Sequence, residues 1–248
     1  MIEIISIDIS NFCSKQCDFC YNRSNNQGCS LWKPQEVIDF GMDCVANGVK
    51  AISLGGGEPL EYVGVFDIIS ALREACYLTI TSNGLPLEDR HVYEKLIEAK
   101  PDKIHISIHY PHIASEVKRV MRQIKQLQNT SIKPGVNLMV PQNQLAASRE
   151  AYIQLRKILS PEQIILIPQR FSNIPTSKEV ASISGGEPFQ SPSCLTKCEA
   201  PTQFCSVTWD KLASYCSFSS GKAPLEMLNY EGLCAALDKS QFISCMEN

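Results

Sequence analysis

The chain has 248 residues, of which 44% are hydrophobic, and a formal net charge of −3. This length suits one barrel-sized α/β domain, or a smaller domain with an extension. The interspersed charges exclude the basic face of a protein that binds nucleic acid mainly through phosphates. The sequence shows no basic leader with an apolar run and no apolar stretch long enough to span a membrane. We therefore expect a cytosolic protein without membrane or nucleic-acid partners.

The first two-thirds of the chain alternate between short β-branched runs and segments with helical spacing. The first helical segment has Pro34 near its start and Gly48 where it would end. Strand followed by helix, repeated along the chain, predicts parallel βα units. We predict strands over residues 2–9, 50–54, 77–81, 104–108, 136–140 and 164–167, and helices over residues 34–47, 63–75, 88–99, 113–128 and 144–159.

Two of these strands alternate between isoleucine and polar residues. The apolar side suits a layer of helices, so the polar side points into the barrel. Polar groups there are costly unless they are paired or solvated, which indicates either a ligand-filled cavity or a packed core of mutually bonded groups. The polar residues are Ser6, Asp8 and Ser10 in the first strand and His105, Ser107 and His109 in the fourth.

The 12 cysteines are many for a cytosolic chain, in which clustered thiols point to metal or redox chemistry. Cys13, Cys17 and Cys20 directly follow the first predicted strand, at the edge where barrel enzymes place their sites. Three thiolates can bind three irons of a cubane cluster and leave the fourth iron free for a ligand. The alternatives are a zinc site with a distant fourth ligand and a chance cluster.

The C-terminal third has a different composition. Ser, Pro, Gly and Asn dominate residues 171–193, which predicts a linker or long loop. The sequence SVTWDKLASY beyond it predicts a hairpin that turns near Asp210 and Lys211. A second Gly-Gly-Glu sequence, at residues 184–188, follows no predicted strand and is interpreted as a turn. We expect a barrel over residues 1–170, a linker over 171–193 and a cysteine-rich extension over 194–248.

The Cys-x3-Cys-x2-Cys spacing, with the aromatic Phe19 before the last cysteine, resembles the signature of the radical S-adenosylmethionine (SAM) enzymes. Gly56, Gly57 and Glu58 follow the second predicted strand and match that family's Gly-Gly-Glu motif. In the family this motif meets the amino group of the methionine moiety of SAM. The match has a physical basis, because glycines let the main chain approach closely and an ammonium needs acceptors.

The resemblance covers about residues 1–170 and implies further cofactor contacts. Ser82 and Asn83, at the end of the third strand, would contact the ribose and the methionine carboxylate. Asn137 on the fifth strand would contact the ribose. Tyr21 is either near the adenine or a core aromatic residue. For groups that face the substrate we select Asp8, Ser107 and His109.

The implied fold is a partial (β/α)6 TIM-like barrel with a small C-terminal cysteine-rich extension. The implied reaction is reductive cleavage of SAM at a 4Fe-4S cluster to a 5′-deoxyadenosyl radical, which abstracts hydrogen from a substrate. Such an enzyme needs a reductant such as flavodoxin or ferredoxin.

The extension resembles the auxiliary-cluster tail of SPASM and twitch-type members of the family. The resemblance implies a second 4Fe-4S cluster on Cys194, Cys198, Cys205 and Cys216. A glycine after Asp210 and a later Cys-x2-Cys pair are both missing, which favours one auxiliary cluster over two. The last ligand could instead come from one of two other cysteines, and tetrahedral zinc is an open alternative to iron and sulfur. These two cysteines are Cys234 and Cys245.

The tail favours a peptide or protein substrate. The chain begins directly on the first strand, which leaves no room for an N-terminal peptide-recognition domain. A separate recognition partner, or a small substrate such as a sugar or nucleoside, is therefore the alternative. A non-catalytic iron–sulfur electron carrier or a zinc-ordered binding module is a different class of protein, which would have no use for the ammonium-binding Gly56–Gly57–Glu58 turn.

Overall fold

The computed structural model describes residues 1–245, and its first six strands are parallel. They pair in the order β6-β5-β4-β3-β2-β1, and β6 and β1 lie at opposite ends of this run, as in a partial barrel. All six were predicted from the alternation of strand and helix, with ends that differ by a few residues. The strands are β1 (Ile4–Asp8), β2 (Ala51–Gly55), β3 (Tyr77–Ser82), β4 (Lys103–Ile108), β5 (Lys133–Val140) and β6 (Ile164–Pro168).

A layer of helices covers the outer side of these strands. In the fourth helix, apolar residues three or four positions apart are buried, as the helical period requires. Ile104, Ile106 and Ile108 of β4 are fully buried, which agrees with the predicted apolar side of that strand. The helices that follow β1 to β5 are α1 (Pro34–Ala46), α2 (Val65–Leu72), α3 (Arg90–Ala99), α4 (Ala114–Leu127) and α5 (Leu145–Leu155). Within residues 1–245 no helix has the length and apolarity to cross a membrane.

The predicted linker contains a helix that the sequence analysis missed, α6 (Ser177–Ile183). Thr176 begins it, because the hydroxyl of Thr176 accepts from the backbone N–H of Glu179 while the Glu179 carboxylate accepts from Thr176. The second Gly-Gly-Glu sequence forms a turn after α6, with Gly185 and Gly186 at positive φ. It is separate from the barrel motif, and Glu187 forms an ion pair with Arg156.

The extension continues the barrel sheet. Strand β7 (Phe204–Val207) pairs with β1 in parallel, and β8 (Leu212–Ser214) and β9 (Ala223–Pro224) follow in antiparallel order. The predicted hairpin is therefore confirmed, whereas its attachment to β1 was not predicted. The Trp32 indole N–H donates to the Thr208 carbonyl at 3.0 Å and ties the hairpin to the loop before α1. Helix α7 (Tyr230–Lys239) completes the described fold.

Candidate active site

A cavity of about 240 Å³ opens at the carboxyl ends of the barrel strands. Parallel βα barrels place their functional groups at this end, because the loops that follow the strands converge there. Of the barrel residues selected from the sequence, all but Glu58 line the cavity. They are Asp8, Cys13, Cys17, Phe19, Cys20, Gly56, Gly57, Ser82, Asn83, Ser107, His109 and Asn137.

Cys13, Cys17 and Cys20 lie in the loop after β1, and all are free thiols. Burial raises the pKa of Cys17 to about 11, the Lys15 ammonium opposes this shift, and the nearby Cys20 and Cys13 add to it. The Asn83 amide lies 3.6 Å from the Cys13 sulfur. No three His, Cys, Asp or Glu side chains within the described residues are gathered around a single metal-ion position. Because a cubane binds each thiolate to a different iron, three thiols on one cavity wall fit it.

The two glycines of the Gly-Gly-Glu turn hold the cysteine loop against the barrel. The Gly57 N–H donates to the Ser10 carbonyl at 2.6 Å, and the Glu58 N–H donates to the Phe12 carbonyl at 2.8 Å. A Cβ atom on Gly56 would lie 2.4 Å from the Ser10 oxygen, and one on Gly57 would lie 1.9 Å from the Phe12 oxygen. Only glycine permits this approach, so the turn positions the thiols as well as the cavity wall.

Glu58, whose carboxylate the sequence analysis assigned to the SAM ammonium, is buried beside the cavity. Its side chain is 1% exposed and does not line the cavity. One carboxylate oxygen accepts from the Asn83 N–H at 2.6 Å and the other from the Leu60 N–H at 3.1 Å. Burial raises the pKa of Glu58 to about 7, while these bonds oppose the shift. Glu58 therefore joins the second and third strand ends and positions Asn83.

A buried ion pair anchors the cysteine loop to helix α4. The Lys15 ammonium lies 2.8 Å from the Glu116 carboxylate, and the two side chains are 8% and 9% exposed. The same Glu116 oxygen accepts from the His109 N–H at 2.6 Å. The sequence analysis missed this pair, because its two members lie 101 positions apart in the chain.

Glu116→Gln is expected to lower the free energy of unfolding by about 3 kcal/mol, because it leaves the Lys15 ammonium buried without its counter-charge. Urea unfolding of the metal-free protein under reducing conditions measures this loss. Glu94→Gln is the control, since it removes the partner of Arg90 in an exposed ion pair. We expect a much smaller loss from the control, because water screens an exposed ion pair. Equal losses in the two variants would contradict the anchoring role.

Two buried polar atoms on the cavity wall suit a bound ligand. His109 Nδ1 and Asn137 Oδ1 have no hydrogen-bond partner among residues 1–245. Burial, with help from Lys15 and Arg119, lowers the pKa of His109 to about 3, so its imidazole is neutral. Unpaired buried polar atoms are costly, and a ligand with polar groups would satisfy them. By contrast, His105 packs against Gly135 and does not line the cavity.

Asp8 and Tyr21 form the wall of the cavity beside β1. The Tyr21 hydroxyl donates to the Asp8 carboxylate at 3.3 Å. Burial raises the pKa of Asp8 to about 6, although the Lys222 ammonium and the Tyr21 hydroxyl oppose this shift. The Tyr21 ring contacts Phe218 of the extension edge-on, with 4.9 Å between centroids. Tyr21 thus joins the barrel to the extension.

Four cysteines of the extension are near enough to interact electrostatically, and they differ by one residue from the expected set. Burial raises the pKa of Cys245, and Cys198, Cys216 and Cys194 raise it further by their proximity. The Ser244 hydroxyl lies 3.3 Å from the Cys198 sulfur. Cys194, Cys198, Cys216 and Cys245 are hereafter the tail cysteines. Cys245, which the sequence analysis gave as an alternative ligand, therefore belongs to this group, and Cys205 does not.

Cys205 lies elsewhere for a reason of sheet register. It pairs with Ile5 of β1, and residues paired in register point to the same side of a sheet. Ile5 is fully buried on the helix side, and so is Cys205. Burial raises the pKa of Cys205 beyond its usual range, and the nearby Cys44 and Cys234 contribute. These three thiols belong to the packing between the sheet and helices α1 and α7.

Two cavity residues were missed by sequence reasoning. Arg170 follows β6, lines the cavity and donates to the Cys194 sulfur at 2.9 Å. Phe218 of the extension also lines the cavity. A charged residue just beyond an apolar strand was a usable signal for Arg170, whereas Phe218 lies in a loop without a motif.

A glycine turn fastens the cysteine loop to the carboxyl ends of six parallel strands. This arrangement is typical of barrels that hold a cofactor at this edge. The chain belongs to the radical SAM superfamily, whose family model matches residues 7–132. Members of this superfamily are enzymes that use SAM and a 4Fe-4S cluster. The matched range includes the cysteine triplet and the Gly-Gly-Glu turn.

A probable GTP 3′,8-cyclase of Methanocaldococcus jannaschii is 28% identical over 144 residues, which are 54% of this chain and 48% of the relative. The chain thus spans about half the length of this curated relative. Streptococcus suis SuiB bound to SAM superposes with a TM-score of 0.70 over 87% of this chain and 60% of SuiB, at 16% identity. The structure of anSMEcpe with bound AdoMet superposes with a TM-score of 0.68 over 98% of this chain and 83% of anSMEcpe, at 13% identity. The two structures establish the fold alone.

Proposed function

We propose that this protein is a radical SAM enzyme that modifies a peptide or protein and carries an auxiliary 4Fe-4S cluster on the tail cysteines. The observation that carries the proposal is the position of Tyr21 between the two cysteine groups. Its hydroxyl lies 3.3 Å from the Asp8 carboxylate on the wall beside the cysteine loop, and its ring lies 4.9 Å from the ring of Phe218 in the extension. One cavity thus lies within reach of the cysteine triplet and of the tail.

Different residues of the cavity would serve different parts of the reaction. Cys13, Cys17 and Cys20 would hold the 4Fe-4S cluster, which would pass an electron from the external reductant to bound SAM for its reductive cleavage. The neutral His109 and the amide of Asn137 offer polar atoms that orient bound molecules. The lining of the cavity is mostly apolar, which would shield a reactive carbon radical from water until it meets the substrate.

Asp8 supplies a carboxylate on the substrate side of the cavity. Its carboxylate is 4% exposed and is held by the Tyr21 hydroxyl, next to the thiol wall. With a pKa of about 6, it can accept or release a proton near neutral pH. A substrate that loses a hydrogen atom and then a proton would find an acceptor for the proton here.

A peptide substrate is supported by the structural neighbours and by the tail. SuiB has been solved bound to the precursor peptide SuiA, and anSMEcpe has been solved with a Kp18Cys peptide. The tail adjoins the cavity through two lining residues, Phe218 of the extension and Arg170, which donates to the Cys194 sulfur. A flavodoxin- or ferredoxin-like reductant, and a separate protein that presents the peptide, complete the proposal.

A nucleotide is the second candidate substrate. The similarity to a probable GTP 3′,8-cyclase covers 54% of this chain, and the rim of the cavity carries cations that suit phosphates. Arg23, Arg170 and Lys222 line this rim together with Ser217, Ser219 and Ser220. The similarity does not extend through the whole of those relatives, so their activity enters as an alternative.

The release of 5′-deoxyadenosine tests the function and separates the two substrates. The holoenzyme is prepared without oxygen and incubated with SAM and dithionite. GTP, or short synthetic peptides encoded beside this gene, are then added. We expect slow release without substrate and faster release with a peptide. Acceleration by GTP alone would favour the nucleotide, and no release under any condition would contradict a radical SAM activity.

A further inference from the structure

Arg170 is a buried cation fixed in place between the cavity and the tail cysteines. Its side chain is 7% exposed, and Nη2 donates to the Cys194 sulfur at 2.9 Å. The guanidinium carbon lies 5.7 Å from the centre of the Phe218 ring, within the range of a cation–π contact. A planar guanidinium that stacks on a ring keeps its hydrogen-bonding edge in one direction. The contact with Cys194 is therefore built into the fold.

A cubane on four thiolates carries net negative charge, which increases when the cluster takes up an electron. A cation bonded to a ligand sulfur stabilises the more negative state more, and burial strengthens the effect. We propose that Arg170 raises the reduction potential of the auxiliary cluster and so favours its one-electron reduction. This inference rests on the proposed auxiliary site.

Arg170 also places this tuning charge next to the substrate. It lines the cavity itself. A continuous series of contacts runs from Asp8 through the Tyr21 hydroxyl, at 3.3 Å, and from the Tyr21 ring to Phe218, at 4.9 Å, to the Arg170 guanidinium. The side chain that sets the potential is therefore a positioning residue at the boundary between the cavity and the tail.

The test is a redox titration of the anaerobic holoenzyme with dithionite and mediator dyes, followed by EPR. Arg170→Gln and Arg170→Met should lower the ratio of reduced to oxidised auxiliary cluster at a fixed potential by about tenfold, which is a shift of 59 mV for one electron. Arg170→Lys keeps the charge and should shift the ratio less. The cluster on Cys13, Cys17 and Cys20 serves as an internal reference in each sample.

Lys222→Gln is the matched control, because Lys222 lines the same rim but acts on Asp8. We expect this variant to change the ratio of reduced to oxidised auxiliary cluster by less than about threefold. If Arg170→Gln and Arg170→Met keep their iron content and the reduction potential is unchanged, the inference about Arg170 is overturned while the proposed auxiliary site stands. Loss of the auxiliary iron in every Arg170 variant would make Arg170 a structural residue and also overturn it. If the wild-type protein contains only enough iron for one cluster, the proposed auxiliary site is wrong, and this inference fails with it.

Discussion

Alanine in place of Cys13, Cys17 and Cys20 is expected to reduce SAM cleavage to the background of a mock preparation. The cluster carries out the difficult chemistry, and the protein without these thiolates has nothing to hold it at the cavity. The EPR signal that SAM perturbs should disappear with the activity. Iron bound by the tail should remain, because the tail cysteines are a separate group. Release of 5′-deoxyadenosine and EPR of the same sample measure both effects.

Cys29→Ala is the matched control for this triple variant. Cys29 lies in the same loop, and its side chain is exposed. Its backbone carbonyl accepts from the Asn11 N–H at 2.8 Å, a bond that the substitution leaves intact. We expect wild-type iron content and SAM cleavage in the control. A SAM-sensitive signal that survives loss of all three loop cysteines would remove the basis of the proposed active site.

The barrel could be predicted because its signals are local. Each strand and the helix after it are encoded within about 30 residues of sequence by spacing, proline and glycine. The position of the cysteine triplet followed from the same rule, since a loop after a parallel strand lies at the carboxyl edge. Asn137 was also placed correctly on the cavity wall, because it pairs in register with Ser107 on the neighbouring strand.

The tail could not be predicted to the same degree, because its geometry depends on contacts between distant residues. The hairpin was visible in the alternation of its residues, but the strand it would pair with was not. Pairing of β7 with β1 turns Cys205 towards the helices, and the chain after α7 brings Cys245 to Cys194. The role of Glu58 was similarly hidden, since the Asn83 N–H that donates to its carboxylate lies 25 positions further along the chain.

Removal of the four tail thiols is expected to halve the iron content of the reconstituted protein. The variant replaces Cys194, Cys198, Cys216 and Cys245 with alanine. If these residues hold a second cubane, the wild type contains twice the iron and sulfide of the variant, since each cubane contributes its own. SAM cleavage should persist, because the triplet in the barrel is intact. Substrate-dependent product formation should be lost if the auxiliary cluster positions the substrate or takes an electron from it.

The single variants Cys245→Ala and Cys205→Ala distinguish the set of ligands in the structure from the set expected from sequence. Cys245→Ala should lower the auxiliary iron and also the unfolding temperature, because a bound cluster that orders a loop-rich tail contributes folding free energy. Cys205→Ala should retain the full iron content and lose only about 1 kcal/mol of stability, since it leaves a small gap beside Ile5. Iron lost with Cys205 and kept without Cys245 would reverse the assignment. Zinc in the wild-type tail would replace the cluster by a structural metal and remove the main reason to favour a peptide substrate.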